Sequence, residues 1–148
     1  MIWIAHRGNL SGSDPSLENK PEYVLEALSK DFEVEVDVWK FKNEWLLGHD
    51  EGQYKIKNDF LLNDKIWWHA KNLEALEALL SFGAKCFWHN ADNYTLTSNN
   101  YIWTYPGYPL TSNSICVMPE RFSIESRNFE ICAGICSDII EKYRINNG

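Results

Sequence analysis

Residues 32–39 read Phe-Glu-Val-Glu-Val-Asp-Val-Trp, and this strict alternation is the periodicity of a β-strand. Successive strand side chains leave on opposite faces, so Val34, Val36 and Val38 share one face and Glu33, Glu35 and Asp37 the other. The valines suit a sheet face covered by helices. The acids repel: at about 7 Å and an effective dielectric of about 20, each neighbouring pair costs about 2 kcal/mol. A solvated acidic face would tolerate that. A divalent cation would reverse its sign, and hard oxygen ligands suit Mg²⁺, Ca²⁺ or Mn²⁺.

Strand and helix patterns alternate around this segment. The apolar run Ile2-Trp3-Ile4-Ala5 stops at His6-Arg7-Gly8. A loop rich in Gly, Ser, Asp and Pro leads to a helix opening at Pro21, with Tyr23, Val24, Ala27 and Leu28 as its apolar stripe. Lys42-Asn43 makes a tight turn into a strand over 44–48, which ends at His49-Asp50. The stretch 51–70 has no single pattern. Asn72 is placed to cap a helix whose stripe is Leu73, Leu76, Leu79 and Leu80 and whose end is Gly83. A strand follows over 85–89. Short strands over 101–105, 114–118 and 133–136 come next, then a closing helix over 138–143. The order predicts one α/β domain over residues 1–148, with a parallel sheet and helices outside. A full eightfold β/α barrel needs about 200 residues or more. A chain of 148 residues therefore points to a reduced or incomplete TIM-like β/α barrel, with several outer helices missing in its second half.

The net charge of −7 argues against nucleic acid and anionic membrane surfaces as partners. No apolar stretch approaches the roughly 20 residues of a membrane span. No basic leader with an apolar core precedes the first strand, so a cytoplasmic protein is expected. Cys86, Cys116, Cys132 and Cys136 lack metal-site spacing and read as reduced structural thiols.

In a parallel barrel the strand C-termini share one rim, where sites form. His6-Arg7, His49-Asp50 and the carboxylates of Glu35 and Asp37 would converge there. That set suits phosphodiester cleavage. An arginine grips a phosphate by bidentate contacts. A cation polarises the phosphoryl oxygen. Two histidines in opposite protonation states serve as general base and general acid. Gly8 would let the backbone approach the phosphate closely.

The same residues resemble the glycerophosphodiester phosphodiesterase family in order and spacing. IAHRGN, SLEN, EVEVDVW and LLGHD match its His-Arg-Gly, its Glu-Asn-Thr-like turn, its Glu-x-Asp and its Gly-His-Asp over residues 2–50. The late segment AGICSDIIEKY resembles the family's closing strand and helix, which implies a complete chain with a shortened middle. The resemblance implies a TIM-like barrel, a bound Mg²⁺ or Ca²⁺, and hydrolysis of a small glycerophosphodiester to glycerol phosphate and an alcohol. It places His6 and His49 as the acid–base pair, Arg7 on the phosphate, and Glu35 and Asp37 on the metal. Glu18-Asn19 matches the family turn, with Lys20 in place of threonine, and reads as structural.

This chain departs from that pattern at the third acidic ligand, which the family carries on the next core strand within a Glu-x-Lys motif. The strand reading KCFWHNADN has neither residue; His89 would supply a nitrogen ligand or Asp92 an oxygen, or His89 would be a hydrogen-bonded residue of the mouth. Trp103-Thr104 would line the substrate pocket or pack over the sheet. A relative acting on another lipid- or sugar-linked phosphodiester, and a non-catalytic phosphate- or partner-binding relative, are the alternative functions. Trp88, Trp103, Ile115, Val117 and Ile131 lie on strands with few helices to cover them. That predicts a homodimer sealing this flank, with loops folded back within one chain as the alternative.

Overall fold

The computed structural model describes residues 1–122 and 126–147. In chain order its strands are β1 (Ile2–His6), β2 (Glu33–Phe41), β3 (Glu44–Leu47), β4 (Tyr54–Ile56), β5 (Ile66–Ala70), β6 (Cys86–Phe87), β7 (Tyr94–Leu96), β8 (Ile102–Thr104), β9 (Ser114–Val117) and β10 (Gly134–Ser137). The helices are α1 (Pro21–Ser29), α2 (Leu73–Phe82) and α3 (Ile140–Asn147). No helix among the described residues is long and apolar enough to cross a membrane.

The strands in the order β6-β5-β2-β1-β10-β9-β8 run parallel. The last strand, β10, pairs with the first, so the two ends of the chain meet inside the sheet. The sheet curls into a partial barrel. Trp103 on β8 stacks on Phe87 on β6 with ring centroids 4.5 Å apart, although these strands do not pair. The turn after β7 bridges the gap: the Ser98 N–H donates to the Cys86 carbonyl at 2.9 Å, and Ser98 Oγ accepts from the Cys86 N–H at 2.8 Å. This turn satisfies groups that an open sheet edge would leave bare.

The far edge of β2 is shared. Val34 to Val38 pair with β5, while Val38 to Phe41 pair antiparallel with β3, through a turn in which Lys42 has φ 55°. β3 is therefore a hairpin arm and not a barrel strand. It brings His49 back to the rim because it runs downward, and the Gly48 N–H donates to the Asp37 carbonyl at 3.1 Å.

The parity of β2 sorts the core. Val34, Val36 and Val38 are fully buried with Val24 and Ala27 of α1 and Ala75 and Leu79 of α2. Inside the curl lie Ile4, Trp67, Phe87, Trp103 and Ile115. Asn72 caps α2 by accepting from the Ala75 N–H at 3.1 Å, and Gly83 ends it at φ 71°. The expected leucine stripe is only half right: Leu73 and Leu80 are exposed, because the sheet is met by Ala75, Leu76 and Leu79. On the flank expected to be sealed by a second copy or by the chain's own loops, side chains of the same chain supply cover. Trp103, Ile115 and Val117 point into the curl, and the outward Cys116 and Ile135 are covered by Leu110, Phe129, Cys132 and Tyr143 of the same chain. Trp88 and Ile131 remain at the surface. All four cysteines are free and buried.

Candidate functional site

Strand parity turns Glu35 and Asp37 into the curl, and β5 sets His69 directly across from Asp37. Glu35, Asp37 and His69 are 2%, 0% and 8% exposed, and each offers a ligand atom within 4.8 Å of the others. His69 Nδ1 lies 3.1 Å from Asp37 Oδ1 and 3.5 Å from Glu35 Oε1. Asp37 Oδ1 and Glu35 Oε2 accept no hydrogen bond, so the His69–Asp37 contact is an ion pair of bent geometry. A buried carboxylate oxygen left in that state costs more than the 1–3 kcal/mol typical of a neutral group. An enclosed cation would relieve it, so this donor set fits a metal ion. The third acid of the strand does not join them: Glu33 is held by Lys85 Nζ and Trp67 Nε1, each at 2.6 Å.

His69 is aimed. Its Nε2–H donates to the His89 carbonyl at 3.2 Å, which turns Nδ1 toward the acids. Its ring is stacked on Phe87 and on His89, at centroid distances of 4.9 and 5.2 Å. Burial draws its pKa down, but the close negative carboxylates of Asp37 and Glu35 outweigh that and lift it to about 9. Burial would raise Asp37, yet His69, Arg7 and Asn19 hold it well below the usual carboxylate range.

His6 ends β1 opposite Glu35. Its Nδ1–H donates to Asp138 Oδ1 at 2.7 Å, and its Nε2 lies 3.8 Å from Glu35 Oε2. Burial lowers its pKa, but Asp138 and Glu35 more than compensate, and the value is raised. Asp138 follows the end of β10 and also accepts from Asn9 Nδ2 at 2.8 Å.

Arg7 is fixed between two acids, with Nε 3.0 Å from Asp37 Oδ2 and Nη1 donating to Glu18 Oε2 at 3.1 Å. The Glu18-Asn19 turn is structural, as its sequence suggests. Glu18 also accepts from Asn9 and Ser13. Asn19 clamps Asp37, donating from Nδ2 to Oδ2 and accepting the Asp37 N–H, both at 2.9 Å. Gly8 serves packing here: at φ 90°, a Cβ would stand 2.9 Å from Tyr23 Cδ1.

A cavity of about 360 Å³ opens over these residues, and His6, Arg7, Glu35, His49, His69 and Lys71 are among its walls. Trp103, 5% exposed, also lines it. An adjoining cavity of about 340 Å³ shares His6, Arg7 and His49. His49 is partly exposed, and its Nδ1 is 2.7 Å from Asp50 Oδ1. His89 lines the first cavity but stands outside the Glu35–Asp37–His69 group; burial first, and then the charge of His69, lowers its pKa. Asp92 is exposed in the following loop and is not part of the group either.

Sequence reasoning missed His69, Lys71 and Asp138. β5 reads Ile-Trp-Trp-His-Ala and is buried on both faces, so it shows no alternation to identify it as a strand. The signal available was its end: a histidine and, two places on, a lysine at the close of an apolar run. Compared with protein-family models, curated proteins and solved structures, the chain matches none.

Proposed function

We propose that this chain is a metal-dependent phosphodiesterase of the glycerophosphodiester phosphodiesterase type. It would split a small glycerophosphodiester into glycerol phosphate and an alcohol. One observation carries the reading: His6, His49 and Arg7 share a rim cavity with a buried Glu35–Asp37–His69 group able to hold a cation. The sequence adds support, since His69-Ala70-Lys71 has the spacing of the family's Glu-x-Lys, with imidazole in place of the acid. The ion, when bound, would neutralise phosphate charge and polarise a phosphoryl oxygen.

The chain's own groups do the rest. Arg7, immobilised by Asp37 and Glu18, turns a rigid guanidinium toward the phosphate. His6 presents Nε2 to the cavity while Asp138 holds Nδ1–H, an arrangement that steadies the imidazolium formed on accepting a proton. His6 is therefore the general base toward the attacking hydroxyl. His49, at the open side with Asp50 on its Nδ1, protonates the leaving alcohol oxygen as the P–O bond breaks. Trp103, backed by Phe87, gives the cavity an apolar wall.

Turnover of glycerophosphocholine and bis(p-nitrophenyl) phosphate, with and without added divalent ions, tests the proposal. Metal-dependent cleavage of either, lost in His6→Ala and His49→Ala, is the expected result. Metal-loaded protein that cleaves neither phosphodiester contradicts it.

A further inference from the structure

We infer that the ion held by Glu35, Asp37 and His69 is a first-row transition metal of the Mn²⁺-to-Zn²⁺ class, and that the His69 nitrogen selects it over Mg²⁺ and Ca²⁺. The inference rests on reading this group as a metal site. Two buried carboxylate oxygens lack hydrogen-bond donors and support that reading: Asp37 Oδ1, which faces His69 Nδ1 at 3.1 Å, and Glu35 Oε2, on the His6 side of the same carboxylate that faces His69 through Oε1.

Mg²⁺ and Ca²⁺ are held by charge and by oxygen count, Ca²⁺ taking 6–8 oxygens. This site is poor in both. Asp37 Oδ2 is already engaged, 3.0 Å from Arg7 Nε and 2.9 Å from Asn19 Nδ2, which leaves Oδ1 as its free donor. Arg7 and Lys71, whose Nζ lies 3.9 Å from Asp37 Oδ1, offset part of the negative charge. The third donor is a nitrogen, and it cannot turn aside. Its ring is stacked against both Phe87 and His89, and the Nε2–H bond to the His89 carbonyl fixes which nitrogen faces inward. Imidazole with carboxylate suits the later divalent ions, whose affinity for such a donor set rises from Mn²⁺ toward Zn²⁺.

The test uses the whole chain and metal salts alone, read by titration calorimetry with competition. Zn²⁺ and Mn²⁺ are expected to bind at least a hundredfold tighter than Mg²⁺ or Ca²⁺. In His69→Glu, Zn²⁺ affinity should fall by tenfold or more while Ca²⁺ affinity rises. Proton NMR of the Co²⁺-loaded wild-type chain should carry a paramagnetically shifted, solvent-exchangeable imidazole N–H signal from His69. This measurement needs no variant that might misfold. Ca²⁺ or Mg²⁺ binding within tenfold of Zn²⁺, or absence of that signal in Co²⁺-loaded protein, overturns the selectivity while leaving a metal site. Failure of every ion to bind overturns the metal reading itself.

Discussion

His69 Nδ1 stands 3.1 Å from Asp37 Oδ1, across adjacent parallel strands and away from solvent. Without metal, this contact makes the imidazole a cation with a pKa near 9. A metal takes the nitrogen only after that proton leaves.

Metal binding at pH 7 is therefore expected to release about one proton, and affinity to rise about tenfold per pH unit from pH 6 to 8. Calorimetry in buffers of different ionisation enthalpy measures the proton count. The metal-free fold should behave oppositely. Protonated His69 stabilises it fully below the ordinary pKa of 6.5, and that contribution is lost as pH rises toward about 9. Urea unfolding of chelator-treated protein at pH 6.5 and pH 9 checks the sign.

Asn19 is 1% exposed, has φ 62°, and makes both of its Asp37 hydrogen bonds from one amide. Asn19→Ala leaves the Asp37 N–H and Oδ2 short of partners. It should destabilise the chain by about 2–6 kcal/mol, from roughly 1–3 kcal/mol per orphaned group. Denaturant midpoints provide the measurement, and an unchanged midpoint would mean that water replaces the amide.

Asp138 acts through His6. Asp138→Asn should lower turnover by about 10²–10⁴ with little change in KM. Removing its charge also lowers the His6 pKa, so the ascending limb of the pH–rate profile should move to lower pH. A loss of rate with an unmoved limb would assign Asp138 to the fold instead.

Much of this site was legible because β2 alternates. Its parity predicted the valine face, the inward acids and their separation from helices α1 and α2. His6 was legible because an apolar strand ends on it. His49 was placed on the rim for the wrong reason: it returns there on an antiparallel hairpin, which sequence order alone does not distinguish from another barrel strand. His69 was hidden because a strand buried on both faces carries no period. Asp138 was hidden because its partner lies 132 residues away, and only the pairing of β10 with β1 brings them together. The cover of the β9–β10 flank was hard to read because alternate residues of these strands face opposite layers, and part of the cover, Leu110 and Cys132, comes from irregular chain.

The most direct measurement is hydrolysis of glycerophosphocholine by the chain stripped of metal and then reloaded with Mn²⁺ or Zn²⁺, alongside Glu35→Gln. The stripped protein is expected to release no glycerol phosphate, reloading to restore turnover, and Glu35→Gln to lose about 10² or more at fixed metal. Equal turnover by stripped and reloaded protein, or wild-type rates in Glu35→Gln, would contradict metal-dependent cleavage at this site.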